Sequence, residues 1–201
     1  MRRIWLALIA TLVIAGGCST MKIEDFKGTE PRLRLEEFFA GKSQAWGTFE
    51  DRFGNVRRQF TVDIVGTWDG ETLVLEEDFE FADGETDRRV WKIVKLDDNT
   101  YEGRAEDVHD VARGTSYGNA LTWTYSVDLK MKDRSLTVTF EDWMWQLDED
   151  VLLNKAEVRK WGFKVGEATI FFRRMPESSE KAHGGMRSAG STTPSVQQAA
   201  E

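Results

Sequence analysis

The chain has one cysteine, two histidines and three prolines in 201 residues. A single cysteine excludes a disulfide scaffold and a cysteine-based zinc cage. Two histidines leave little material for a histidine metal centre. No apolar run reaches the ~20 residues that a membrane-spanning helix needs. Bases are the minority, 27 against 35 acids, for a net charge of -8. Nucleic acid is therefore not expected as a partner, because phosphate binding needs clustered Lys and Arg. What is present is a globular composition, 40% hydrophobic and 31% charged, sized for one compact domain with processed or unstructured ends. Eight tryptophans and twelve phenylalanines point to an aromatic-rich core.

The N-terminus reads as an address. Basic Met1-Arg2-Arg3 precedes an apolar stretch, Ile4 to Ala15, too short to span a bilayer and laid out as a signal peptide. Ala15-Gly16-Gly17 directly before Cys18 resembles the bacterial lipobox. That resemblance implies cleavage before Cys18 and acylation of Cys18, which attaches the chain to a membrane through a lipid anchor. Several acyl chains hold far better than one. Ser19, where Asp would favour the inner membrane, implies the outer membrane and its periplasmic face. A plain secretory signal would leave Cys18 an unpaired thiol, an unusual state for an exported chain. The far end, from Pro176, is small and polar and cannot offset its ordering entropy. The expected division is a signal peptide over 1–17, a tether over 18–31, a β-barrel domain over 32–175 and a disordered tail over 176–201.

The middle predicts an all-β fold, an antiparallel meander closing into a lipocalin-like barrel. One short helix is expected over Pro31 to Phe39, stopped by Gly41. Turn signals then recur at Phe53-Gly54-Asn55, Asp69-Gly70, Asp83-Gly84, Asp98-Asn99, Gly114 to Asn119 and Asp133-Arg134. Read as two-residue loops, Asp69-Gly70 sets Phe60 opposite Phe79, Asp83-Gly84 sets Phe79 opposite Arg88, and Asp98-Asn99 sets Val94 opposite Gly103. Phe60, Val62, Ile64, Leu73, Leu75, Phe79, Phe81, Val90 and Val94 then share the inner face. One pairing is awkward, with Glu80 set against Asp87. A second hairpin sets Leu121, Trp123, Tyr125, Val127 and Leu129 against Leu136, Val138, Phe140, Asp142 and Met144. Closure removes exposed edges, and about eight strands leave room for filling side chains or one small ligand. A membrane-spanning barrel is the rival architecture. It fits poorly with a lipid-anchored chain.

Several strings resemble one set of bacterial lipoproteins. They are Asp51-Arg52-Phe53-Gly54, Gly66-Thr67-Trp68-Asp69-Gly70, Asp83-Gly84, Arg89-Val90-Trp91, Tyr101-Glu102-Gly103, Gly118-Asn119-Ala120-Leu121 and Asp142-Trp143-Met144. On these the chain is similar to domain-of-unknown-function family 3833 over about residues 35–174. The family carries over no settled activity and no catalytic residue. The resemblance does imply genes set beside fatty-acid-modifying enzymes, such as cyclopropane-fatty-acid synthase homologues. Lipid-modifying enzymes are therefore expected as partners.

The candidate site is the inner face. The register turns Glu77, Arg88, Lys92, Asp107, His109 and Asp142 inward among aromatics. Buried charge is costly unless paired. One reading is a satisfied structural network, with Arg88 and Lys92 balancing Glu77 and Asp107. Another is a pocket that orients an amphiphile's head while Trp123, Tyr125 and Phe140 line its apolar part. A third is acid–base catalysis. Gly114-Thr115-Ser116-Tyr117-Gly118 matches G-x-S-x-G, but no helix follows to make a nucleophile elbow. Glu106, Asp107, His109 and Asp110 alternate between faces, leaving two ligands where a metal needs more. No cofactor, metal or catalytic residue is assigned. The leading expectation is binding or carrying a lipid-like hydrophobic molecule. The rivals are an accessory lipoprotein with a packed core, and a barrel enzyme acting on a fatty acyl or isoprenoid compound.

Overall fold

The computed structural model describes residues 21–131 and 134–175. The lipobox with Cys18, the tail from Pro176 and Asp133 of the last turn signal lie outside the described residues. Ten antiparallel strands form a closed barrel in meander order, with the first strand paired to the last. They are β1 (Gly41–Asp51), β2 (Val56–Trp68), β3 (Thr72–Phe81), β4 (Thr86–Lys95), β5 (Thr100–Arg104), β6 (Ala112–Tyr117), β7 (Ala120–Met131), β8 (Arg134–Asp148), β9 (Val151–Lys160) and β10 (Phe163–Met175). Period-two burial drives the closure. In β9, Leu152, Asn154, Ala156 and Val158 are buried in alternation.

A 3-10 turn (Ile23–Phe26) and a helix, α1 (Leu35–Phe39), precede the barrel. The helix is shorter than the expected Pro31–Phe39. The Leu33 amide is committed to the Gly118 carbonyl at 2.8 Å, and Arg34 is extended, so helical geometry begins only at Leu35. α1 plugs the end of the barrel where β1 starts. Leu33, Leu35, Phe38 and Phe39 are all buried, and Phe39 meets Phe172 edge-on at 5.5 Å. Gly66 has no room for a side chain, since a Cβ there would sit 1.8 Å from the Phe39 carbonyl oxygen. Glu36 on the plug accepts from Lys95 Nζ at 2.6 Å and Tyr101 Oη at 2.9 Å. Burial opposes its charge, but these donors hold the carboxyl below its ordinary range.

The hairpin registers correct the expected ones. Around Asp69-Gly70 the loop spans four residues, because Asp69 Oδ1 accepts from the amides of Glu71 and Thr72 at 2.9 and 2.7 Å. Phe60 therefore pairs with Phe81 and Val62 with Phe79, a shift of two that keeps the faces. Phe60 and Phe79 remain on one face, with ring centroids 6.0 Å apart. Around Asp83-Gly84 the loop has three residues. Gly84 sits at φ +83 and the Phe81 amide reaches the Glu85 carbonyl, the arrangement of a type I turn closed by a glycine bulge. That extra residue flips β4. Arg89, Trp91 and Ile93 face inward, whereas Arg88, Val90 and Lys92 face out and Val94 leaves the inner set. Glu80 now pairs with Thr86, so the awkward contact with Asp87 does not arise. The next loop, Asp97 to Asn99, is also one residue longer than expected, and the Leu96 amide reaches the Thr100 carbonyl at 2.9 Å. The two single-residue shifts cancel, which restores Tyr101 and Gly103 to the interior.

Candidate functional site

The barrel has two unlike halves. Next to the plug it is filled. Trp123 lies across two inner-wall glycines, Gly103 and Gly114, and meets Trp91 at 5.8 Å. Leu73, Leu121 and Leu152 complete this packed floor. Toward the opposite end, at the turns 52–55, 82–84 and 161–162, the inward-facing aromatics are only half-buried. They are Phe60, Phe79, Phe81, Tyr125 and Phe140. Tyr125 and Phe140 stack with centroids 5.2 Å apart and planes 4° from parallel. The rim of this mouth carries Phe53, Trp161 and Phe163 well exposed.

Charged groups sit inside these aromatic walls. Arg89 on β4 donates through Nε and Nη2 to Asp107 Oδ2, at 3.1 and 2.6 Å. Glu77 on β3 faces Arg89 across the strand pair but makes no hydrogen bond or ion pair among the described residues. Burial pushes the Glu77 carboxyl up to about 7, with Arg89 opposing and Asp107 adding to the rise. Asp142 on β8 is pushed up to about 7, again by burial, against the pull of Asn154 and Arg89. The Tyr125 hydroxyl lies amid all four charges. Burial and then Asp142 raise it well above its ordinary value. Glu77 and Tyr125 are only half-buried, so solvent reaches the interior at this end of the barrel.

Three buried oxygens in the interior lack any partner among the described residues: Asp142 Oδ1, Asn154 Oδ1 and Ser43 Oγ. Asp142 and Asn154 touch, with Asn154 Nδ2 donating to Asp142 Oδ2 at 3.3 Å. Buried polar atoms are almost always satisfied, and a protonated Asp142 carboxyl supplies the donor that Asn154 Oδ1 lacks.

Of the residues expected at the site, Glu77, Asp107, Trp123, Tyr125, Phe140 and Asp142 come together. Trp123 stands opposite Asp142 and Tyr125 opposite Phe140, as the strand alternation implied. Arg88 and His109 do not join them. Arg88 lies on the outer wall, paired with Glu76 and Asp78. His109 leaves the sheet after β5, and its Nε2 lies 2.7 Å from Asp128 Oδ2 on the outside. The metal pattern is split likewise, Asp107 to Arg89 and His109 to Asp128. Ser116 is buried within β6, its Oγ donating to the Leu33 carbonyl at 2.8 Å, so it ties down the plug. Sequence reasoning missed Arg89, which a three-residue reading of Ala82-Asp83-Gly84 would have turned inward. It also missed Asn154, although that residue is in phase with Leu152, Ala156 and Val158.

Two hollows lie on the surface. One, of about 580 Å³, is lined by Arg104, His109, Asp110, Val111 and Arg113. The other, of about 620 Å³, runs along the outer wall past Trp46, Thr61 and Phe171 and reaches Phe60.

Comparison with the curated proteins finds no match. Among solved structures, an S-type phycobiliprotein lyase, CPES, from Guillardia theta is similar at TM-score 0.50 and 14% identity, over 73% of this chain and 96% of that one. A protein of unknown function from the DUF3598 family of Nostoc punctiforme is similar at TM-score 0.46 and 12% identity, over 72% of this chain. The chain spans 50% of that protein's length. At these identities the likeness is one of fold, a lipocalin-like barrel. Residues 12–174 match the family model described as "Protein of unknown function (DUF3833)", and the chain belongs to that family.

Proposed function

We propose that the protein binds a lipid-like hydrophobic molecule in the upper half of its barrel, as a lipoprotein held by Cys18 at the periplasmic face of the outer membrane. The observation that carries the ligand reading is the set of inward-facing aromatics left half-buried at the mouth, above the packed floor. Ligand sites are mostly apolar with a few converging polar groups, and this end of the interior carries both kinds of side chain. The fold it shares with a phycobiliprotein lyase is an analogy of architecture and transfers no residue.

Native mass spectrometry of the mature domain, produced without the acylated Cys18 and purified without detergent, tests the ligand. The expected result is a co-purifying apolar molecule, released when the barrel unfolds. A titrated apolar ligand should also quench or shift tryptophan emission along a saturable curve that salt hardly moves, since desolvated contacts are weakly screened. A ligand-free mass and a flat titration would overturn the reading. They would leave the accessory lipoprotein, whose support is the packed floor of Trp91 and Trp123.

The anchor rests on Ala15-Gly16-Gly17-Cys18. Cys18→Ala is expected to leave uncleaved precursor or to release a soluble form from the outer-membrane fraction. An intact mass with an unmodified Cys18 thiol on mature protein would overturn the anchor without touching the ligand reading.

A further inference from the structure

We propose that the outer wall over β8, β9, β10 and β1 lies flat on the bilayer that holds the lipid anchor. This rests on the Cys18 anchor above and adds a second, non-covalent contact with the same membrane. Strand alternation turns Ala45, Leu152 and Phe172 into the core, so their neighbours Trp46, Leu153 and Phe171 point outward. The registers set these in one row, with Trp145 beside Leu153, Leu153 beside Phe171 and Phe171 beside Trp46. The row is aromatic at both ends. Trp46 and Phe171 have ring centroids 6.3 Å apart, and Trp145 stacks on Trp143 at 5.9 Å. Trp46 and Phe171 are 40% and 39% exposed. A second outward row, nearer the plug, sets exposed Met175 and Val65 on either side of Lys42. The outer-wall hollow of about 620 Å³ opens beside Trp46 and Phe171. Single exposed apolar residues are ordinary, but a contiguous row marks a contact surface.

The occupant of this surface follows from where the N-terminal segment meets the barrel. The 3-10 turn Ile23–Phe26 is fastened to the same wall. The Phe26 ring meets Trp143 at 5.9 Å, and just after it the Asn119 amide donates to Thr29 Oγ1 at 3.0 Å. Cys18 stands three residues before Met21. Three residues reach at most about 11 Å. Acyl chains on Cys18 therefore enter the bilayer near Trp143, at one end of the aromatic row. So short a tether presents to the lipid the wall it is fastened to. Side-chain chemistry agrees. Tryptophan settles at the headgroup level of a bilayer, and cations beside it meet lipid phosphates. Lys42 and Arg173 supply those cations on the plug side of Trp46 and Phe171. Asp63, the acid next to them, accepts from Gln44 Nε2 at 2.9 Å. The wall across the barrel instead turns Glu76, Asp78 and Glu80 of β3 outward, which suits water. The tail from Pro176 starts at this end too, but it is small and polar and has no apolar run to cover the row.

The test couples the chain beginning at Cys18, through that thiol, to a maleimide phospholipid in vesicles of phosphatidylcholine and phosphatidylglycerol. Part of the phosphatidylcholine is brominated near the headgroup end of its acyl chains, where bromine quenches any tryptophan it touches. The coupling holds the protein to lipid whether or not the cell acylates Cys18. The anchor, decided by the intact mass of the native protein, and the wall contact therefore fail separately. Tryptophan emission is expected to be quenched. Trp46→Phe should remove part of that quenching, and Trp161→Phe, at the exposed rim of the far mouth, should remove none. Phe171→Asp should lower it as well, with an unchanged far-UV circular dichroism spectrum showing the barrel intact. Without the coupled lipid, Phe171→Asp should weaken binding to the same vesicles by about tenfold or more. Quenching that follows Trp161 and ignores Trp46 would put the mouth on the membrane and overturn the inference. Unquenched emission from the coupled wild type would overturn it by showing that the barrel stands clear of the lipid. So would a dimer that forms without vesicles and is lost in Phe171→Asp, since the row would then belong to a second copy of the chain.

Discussion

Asp142→Asn is expected to stabilise the folded protein by about 2–4 kcal/mol at about pH 8, and to have almost no effect at about pH 4. Burial holds the Asp142 carboxyl up to about 7, against an ordinary 3.8. Below the unfolded value the carboxyl is protonated in both states, and folding carries no charge penalty. As pH rises, the unfolded chain releases its proton first. Stability is lost across the window from about 4 to about 7 and stays lost above it. A gap of about three in pKa corresponds to about 4 kcal/mol, taken as an order of magnitude. The amide removes this penalty. It also supplies what the site lacks, because the substituted side chain can donate to Asn154 Oδ1 while accepting from Asn154 Nδ2. Urea titrations of both proteins across this pH range check it. A variant that is less stable at the alkaline end would mean that Asp142 is matched by a cation, and would contradict the burial argument. A stabilising substitution at a buried acid is the usual sign of a residue kept for function at a cost to the fold.

The fold was legible because closure depends on a period, and a period survives local error. Val62, Ile64, Leu73 and Leu75 face inward whether the Asp69 loop has two residues or four, since a shift of two preserves the face. The site was less legible because a shift of one does not. Counting Asp83-Gly84 as the whole loop exchanged Arg88 for Arg89, and with it an outer-wall ion pair for the inward-facing pair of Arg89 with Asp107. Composition cannot separate those neighbours. The separating signal is Ala82 joining the loop and Gly84 taking φ +83. His109 was misplaced for a different reason. Strand alternation was carried past Arg104, where β5 ends and the chain turns before a lone bridge between Val108 and Val127. Trp123, Tyr125, Phe140 and Asp142 were placed correctly because β7 and β8 pair without a bulge.

Trp123→Ala is expected to cost about 3–5 kcal/mol of stability, the range for emptying a buried aromatic site. The ring is 4% exposed and spans two inner-wall glycines beneath the lumen. Its loss therefore removes the floor before it removes a ligand contact. The companion substitution makes the claim specific. A Cβ added at Gly114 would lie 2.3 Å from the Trp123 ring. Gly114→Ala alone should therefore cost about 1–3 kcal/mol through overpacking. In the Trp123→Ala background that clash is gone. Alanine should then be neutral or stabilising by up to about 1 kcal/mol, because it restricts the unfolded chain. The two substitutions are thus non-additive by about 1–3 kcal/mol, as expected of residues in direct contact. Urea denaturation of the wild type, both single variants and the double variant measures the coupling. If Trp123→Ala is too unstable to follow, Trp123→Phe gives a milder background in which the Gly114→Ala penalty should still shrink. Additive effects would mean that the indole does not rest on Gly114.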